Sequence, residues 1–412
     1  MASLIEPETE QGLIAAIAQS LADGRSLKIV GHDTKDGFGR PVVADGSLSL
    51  ARLTGINYYE PGELVLEAAA GTPLVDIEAL LAQNGQRLAF EPPDLGPLYG
   101  HAAGEGTIGG VIACNLAGPR RPFVGAARDH ILGIRAVSGR GEVFASGGRV
   151  VKNVTGYDMS KLLTGSFGTL AVLSRVTLKV LPRPEVSRTV LLFGLGSVDA
   201  VAIMAEVAGG QWDITAAAHV PRSKAGNSRV EYVAAGSSAV TAFRLEGSRS
   251  GVTARCEALR QVLGRRGETE ELHGTNTSAF WAEIGAAALM GGAADSILWR
   301  LSLPPAAGAR AAGEIQQSLG GETLFDWAGG LVWLSPPGSP PAQDALAWGA
   351  DLRRIVEAHG GHATLVRGPF ETRYQMPVFH PAPDALAALS RRVKENFDPN
   401  GVLNPGRMVE AV

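Results

Sequence analysis

The chain of 412 residues holds only two cysteines, Cys114 and Cys256, far apart in sequence. Two thiols cannot supply the four thiolates of an iron–sulfur cluster or a cysteine-rich zinc site. They offer no disulfide framework either, which points to a reducing, cytoplasmic compartment. An excess of positive charge is also missing. The formal net charge is −4, so no basic field argues for nucleic acid. Nor is there a clean apolar run long enough to span a bilayer. The most apolar stretch, AEIGAAALMGGAADSILW from Ala282 to Trp299, is interrupted by Glu283, Asp295 and glycines. The amino terminus, MASLIEPETEQ, is acidic and has no charged n-region, so it does not read as a signal peptide. Attachment to the inner membrane, where it occurs, is expected to be peripheral and through partners.

What remains is 45% hydrophobic and 19% charged, ordinary for a soluble globular enzyme. The length suits two or three domains. Glycine is abundant, with 53 residues and no collagen-like period. In GEGTIGG, residues Gly104, Gly106 and Gly109 satisfy G-x-G-x-x-G. A Rossmann loop must leave a buried strand and open a helix facing a pyrophosphate. The preceding run, EPPDLGPLYGHAA, has three prolines, two glycines and no β-branched residue, so it cannot be a central strand. The following VIACNLAG reaches Gly118 and Pro119, leaving room for about two helical turns. The glycines need another reason, since glycine is kept where backbone must come close to something.

Periodicity places the motifs. Residues 8–23 read as a helix, with Leu13, Ile14, Ile17 and Leu21 at helical spacing, followed by a short strand LKIVG and a polar loop HDTKDGFGRP. LVLEAAAG reads as a strand, Thr72 as an N-cap, and Pro73 as the first residue of the next helix. Residues 131–148 read as a β-hairpin, 156–168 as a short helix, and 170–184 as a long strand closed by prolines. After Pro184, helices at 198–208, 309–318 and 342–358 alternate with apparent strands in WDITAAAHV, RVEYVAAG, SILWRLSLP, FDWAGGLVWLS and HATLVRG. This implies an antiparallel α+β region. A last helix over 384–396 leads into FDPNGVLNPGRM. Mixed single helices and hairpins give an α+β chain rather than a doubly wound one. The expected divisions are 1–184, 185–380 and 381–412.

Two glycine loops, VGHDTKDGFG and GEGTIGGVIACNLAG, can hold a diphosphate from both sides through backbone N–H groups, without a helix dipole or a lysine. A third element is KNVTGYDMSKLLTGSFGTLAVLSRVTLK. With RDHILGIRAVSGRGE and the terminal FDPNGVLNPGRM, this order resembles the FAD-binding domain shared by vanillyl-alcohol oxidases and p-cresol methylhydroxylase (PCMH-type). Through NLAGPRRPF, VKNVTGYDMSKL, DWAGGLVWL and GGHATLVRG it is similar, within that superfamily, to the E-subunit family of bacterial glycolate oxidases (glycolate dehydrogenases).

The resemblance implies two α+β subdomains holding extended FAD, with an α+β cap domain. Gly31, His32, Asp33, Thr34 and Lys35 match the first pyrophosphate loop; Gly106, Thr107, Ile108, Gly109 and Gly110 match the second. Gly165, Gly168, Thr169 and Val172 match the turn near adenine and ribose, and Asn404 matches an asparagine near the flavin ring. Phe167 departs from the glutamate that relatives often carry. His32 stands one position before the histidine that certain relatives bond to flavin, which argues against a covalent link.

Other residues have blander readings. His359 and His362 form H-G-G-H, but glycines disrupt the helix that would align them and no acidic partner is evident, so no metal site is expected. Asp158 reads as a turn cap, Arg120 and Arg121 as a solvated loop or subunit contact, and Trp327 and Trp333 as core. Oxidation of a 2-hydroxy acid would need an arginine for the carboxylate and a base for the hydroxyl proton. Only His362, Arg367, Arg373 and His380 offer these near the C-terminal return, and none has an evident partner. The expected role is therefore the FAD-binding subunit of an assembly that oxidises glycolate to glyoxylate, with a sister flavin subunit and an iron–sulfur subunit. Two readings stay open beside it: a stand-alone FAD-dependent 2-hydroxy-acid or alcohol dehydrogenase, and a flavin-free structural subunit.

Overall fold

The computed structural model describes residues 3–149, 156–338 and 340–409; residues 151–155 of the VKNVTGYDMSKL motif lie outside them. The chain forms two compact units. The first comprises Met1–Leu116, Gly125–Arg183 and Pro377–Val412, and the second Ala117–Val124 and Pro184–Met376.

The first unit has a three-stranded parallel sheet, with Gly46–Ser49 between Ser3–Ile5 and Leu27–Val30. Its five-stranded antiparallel sheet runs Ile56–Glu60, Val65–Ala69, Ala171–Lys179, Ile131–Ser138, Val143–Gly147. Ala171–Lys179 lies at the centre and is buried at seven of nine positions, Ser174 and Thr177 among them. The helix Glu10–Ala22 starts where Thr9 Oγ1 accepts from Gly12 N at 3.1 Å. Glu10 fastens it to the larger sheet by accepting from Arg135 Nε and Ser174 Oγ, each at 2.7 Å. Thr72 does not cap the next helix. Its hydroxyl exchanges hydrogen bonds with Gly55, and Leu74–Gln83 begins after Pro73 with no side-chain cap.

The C-terminal return closes this unit. Leu27 N donates to Val402 O at 2.7 Å. Lys394, on the helix Asp384–Phe397, is buried and donates to Thr169 O (2.7 Å), Leu403 O (3.0 Å) and Asp398. Asp398 in turn accepts from the backbone of Val402 and Leu403 at 2.9 and 2.8 Å. Every donor of the ammonium is used, which makes a buried charge tolerable.

The second unit is an eight-stranded antiparallel sheet with helices Ser197–Ala208, Arg249–Leu263, Gly308–Ser318 and Ala342–Ala358. One expected strand is absent. RVEYVAAG carries the short helix Glu231–Ala234, and the strand is Val240–Gly247 instead. Val230 and Val233 are buried while Glu231 and Tyr232 are exposed, so the local period is three rather than two. The stretch 282–299 divides between the end of the helix Gly274–Gly285 and the start of the strand Leu298–Ser302. Arg120 is not solvated, and Arg121 is only half-exposed. Arg120 is buried in an ion pair with Glu246, and the Arg121 guanidinium lies 4.4 Å from the Trp327 ring centroid. Trp327 Nε1 donates to Gly118 O at 3.1 Å, so Ala117–Val124 is an internal part of this unit. His359 also has an acidic neighbour that its sequence context hides: Nε2 lies 2.8 Å from Glu314 Oε2.

His219 is buried among sheet residues, its Nδ1 3.0 Å from Thr241 Oγ1 and its ring centroid 5.8 Å from that of Phe325. Burial pushes its pKa down from 6.5 to about 4. The unfolded chain therefore binds the extra proton first. The contribution is full above pH ~6.5 and is lost as pH falls toward ~4, a swing of about 3 kcal/mol. Urea unfolding of His219→Gln should show a shallower loss of stability across this window than the parent; parallel curves would refute the assignment.

Candidate functional site

The first unit contains an open cleft. Its walls are residues 28–36, the second glycine loop, the turn Ser166–Gly168, the start of the strand Ala171–Lys179, and Asn404 and Arg407 from the C-terminal return.

The first loop follows the strand Leu27–Val30 and turns through Asp33, whose φ is +58°. It is held from both sides. Lys28 Nζ reaches Asp33 at 2.9 Å and Asp36 at 2.8 Å. Burial opposes the Lys28 charge, but the Asp36 and Asp33 carboxylates outweigh it and hold the pKa above the usual lysine range. Arg407 donates to Lys35 O at 3.0 Å and Asp36 O at 3.1 Å. The loop's carbonyls are thus tied down while, among the described residues, no protein acceptor meets the backbone N–H groups of residues 32–35.

The second loop divides its glycines between two tasks. Ile108 N donates to Thr72 O at 3.0 Å, Gly109 N to Ala70 O at 2.8 Å, and Gly110 N to Thr107 Oγ1 at 3.3 Å. These donors are used within the protein. A Cβ on Gly109 would lie 2.7 Å from Ala70 O, so this glycine permits backbone packing. The N–H groups of Gly106 and Thr107 meet no protein acceptor among the described residues. The two loops also touch. A Cβ on Gly31 would collide with the Thr107 hydroxyl, and His32 Nδ1 is 2.8 Å from Glu105 O.

Between the loops sits the Lys35 ammonium. Cβ atoms built on Gly106 and Gly110 would lie 3.4 and 3.3 Å from Nζ, and Nζ donates to Thr34 Oγ1 at 3.3 Å. Burial pushes its pKa down, with Cys114 and Asp94 opposing. No cation is needed in a cradle of amides, yet the structure places one there. Six unmet N–H donors and a desolvated ammonium form a site for an anion with several oxygens.

The third wall is the turn at Phe167. Phe167 adopts φ +55° and Gly168 φ +69°. Phe167 N donates to Ala113 O at 2.9 Å and its carbonyl accepts from Asn404 Nδ2 at 2.8 Å. Its ring meets Phe38 and Phe379 edge-on at centroid distances of 5.1 and 4.9 Å, so aromatic packing fills this position. Asn404 Oδ1 accepts from Ile29 N at 2.8 Å. Both arms of that carboxamide are therefore bound to backbone.

Of the residues singled out from sequence, Gly31, His32, Asp33, Thr34, Lys35, Thr107, Gly109, Gly110, Gly168, Val172 and Asn404 line the cleft. Gly106 borders it beneath Lys35, while Ile108, Gly165 and Thr169 lie behind the lining: Ile108 is fully buried, and the Thr169 hydroxyl is turned to Ser166 O at 2.7 Å. Lys28, Cys114 and Arg407 also line the cleft; Cys114 and Arg407 lie within the quoted GEGTIGGVIACNLAG and FDPNGVLNPGRM segments, but nothing in the sequence singles them out. His362, Arg367, Arg373 and His380 do not line it. Arg367 donates to Ser296 O at 2.9 Å and Gly291 O at 2.7 Å, and Arg373 to Gly368 O at 3.1 Å.

A family model described as an FAD binding domain matches residues 1–147. The chain is 36% identical over 405 residues to the glycolate oxidase subunit GlcE of Escherichia coli (strain K12), covering 98% of this chain and 99% of that protein. Among solved structures it is similar to 4-ethylphenol oxidase from Gulosibacter chungangensis, with a TM-score of 0.73, 15% identity, and 98% and 88% of the two chains covered. It is similar also to p-cresol methylhydroxylase, with a TM-score of 0.72, 15% identity, and coverage of 99% and 88%. At these identities the structures establish the fold.

The two glycine roles predict different outcomes. Gly109→Ala should lower stability by about 1–3 kcal/mol through overpacking against Ala70. Gly106→Ala, with room limited only by the flexible end of Lys35, should stay within about 1 kcal/mol of the parent. Urea midpoints of the two variants test this, and equal losses would contradict the division.

Proposed function

The chain belongs to the family of the glycolate oxidase subunit GlcE, and from that premise we propose that it is the FAD-binding subunit of a multi-subunit glycolate oxidase. The assembly oxidises glycolate to glyoxylate, and electrons leave this subunit for a sister flavin subunit or an iron–sulfur subunit. The observation that carries the reading is that two glycine loops whose backbone N–H groups are left without protein acceptors line one cleft together with the Lys35 ammonium.

The residues present suit FAD. The N–H groups of residues 32–35, Gly106 and Thr107 would hold its diphosphate, with Lys35 neutralising charge. Lys28 and Arg407 keep the first loop in register for this. Asn404 acts as a positioning residue, since its side chain is already bound to Ile29 and Phe167. Ser166, Phe167, Gly168 and Val172 would border the nucleoside end. Bound FAD would supply a two-electron acceptor. The chain's two cysteines cannot carry electrons onward as an iron–sulfur cluster, so a partner with its own redox group supports the subunit reading over the stand-alone dehydrogenase. Among the described residues no helix is long and apolar enough to cross a membrane, which leaves membrane proximity to such partners.

Two experiments test this. The chain purified alone should be yellow, with stoichiometric flavin and no glycolate turnover, and turnover should appear on adding the partner subunits. Turnover by the lone chain would establish the independent enzyme; colourless protein that restores its partners' activity would establish a flavin-free scaffold. Separately, Lys35→Met should weaken FAD binding at neutral pH by about 2 kcal/mol, roughly thirtyfold. Because burial depresses the Lys35 pKa, the parent should lose FAD affinity as pH rises through that lowered value, while the variant should not. An identical alkaline limb in both would remove Lys35 from the cradle.

A further inference from the structure

The run EPPDLGPLYGHAAGE, too rich in proline and glycine for a strand, has a compact structure of its own. Asp94 accepts from Gly96 N at 3.0 Å and from Gly104 N at 2.7 Å, and His101 N donates to Gly96 O at 3.0 Å. One carboxylate thus closes residues 94–104 into a loop, and Pro92, Pro93 and Pro97 stiffen its backbone. This brace meets the first glycine loop twice. A Cβ on Gly37 would collide with the Tyr99 ring, and His32 Nδ1 lies 2.8 Å from Glu105 O. A carbonyl oxygen only accepts, so the proton of the second contact belongs to Nδ1.

The first loop is otherwise anchored to Lys28 and Arg407, and the second to Ala70 and Thr72. Packing of Gly31 on the Thr107 hydroxyl limits how closely the loops approach, but it gives little resistance to their separation. Among the described residues, the His32 bond is the only hydrogen bond between residues 31–35 and 104–110. It also fixes a direction. The peptide joining Glu105 to Gly106 is planar, so holding the Glu105 carbonyl holds the Gly106 N–H, one of the six unmet donors. Glycine at 106 would otherwise let that plane turn.

We infer that His32 is a positioning residue for the dinucleotide site. Its Nδ1–H holds the two loops, and the plane that carries the Gly106 N–H, in the arrangement that receives a diphosphate. The inference rests on the reading of the cleft as the FAD site, and adds a side chain that sets its affinity without needing to touch the cofactor.

The test titrates FAD into the full chain stripped of flavin. His32→Leu should bind FAD about fivefold more weakly. Thermal stability of the flavin-free variant should stay close to the parent's, because His32 is only half-buried. His32→Asn, whose amide can donate from the place of Nδ1, should recover most of the lost affinity. His32→Gln, whose amide reaches the place of Nε2, should not. NMR of the flavin-free parent with isotope-labelled histidine should find neutral His32 protonated on Nδ1, the tautomer that free histidine disfavours in water. Parent-like FAD affinity of the leucine variant, equal losses in the leucine and asparagine variants, or a neutral ring protonated on Nε2 would each overturn the proposal and leave the FAD reading intact. A parent chain that takes up no FAD would overturn both. Should His32→Leu not fold, the tautomer and the asparagine–glutamine comparison decide.

Discussion

One carboxamide sets the frame for the cleft. Asn404 receives Ile29 N on one arm and gives a hydrogen bond to Phe167 O on the other. Ile29 leads directly into the first glycine loop, and Phe167 heads the opposite turn. Their separation is therefore fixed by a side chain that arrives 375 residues after Ile29. Lys394 and Asp398 secure the same return from behind, through Thr169 O and Leu403 O. Bent backbone at Phe167 and Asn404 costs of order 1–3 kcal/mol each and persists because these bonds over-determine it.

Much of this was legible in the sequence. The order of glycine loops, hairpin and C-terminal tail named the family, and periodicity located the hairpin over 131–148 and the helix over 342–358. The loops are legible as a pair because both are rich in glycine. Their internal division was not legible. Gly106 and Gly109 are identical letters, and only the approach of Ala70 distinguishes a donor from a packing glycine. Lys35 could be matched to a motif, but its placement over the second loop depends on where the first loop turns. RVEYVAAG misled because a β-rich composition outweighed a period of three. Arg120 and Arg121 looked like surface charge because their partners, Glu246 and Trp327, are more than a hundred residues away.

The second unit reads as a scaffold with a polar interior rather than a site with loose chemistry. Arg120, Arg367 and Arg373 are each held by a carboxylate or by backbone carbonyls, and His219 is kept neutral by burial. None of these groups is arranged as a pair of acid and base poised for proton transfer.

Ile29 and Asn404 also impose an order on biogenesis. During translation the glycine loops emerge early, but the wall that faces them is pinned only after Lys394, Asp398 and Asn404 leave the ribosome. Nearly the whole polypeptide must be synthesised before the coenzyme has a pocket to enter. Nascent chains would have to wait in a partly collapsed state with apolar strands uncovered, the condition under which chaperones are most needed.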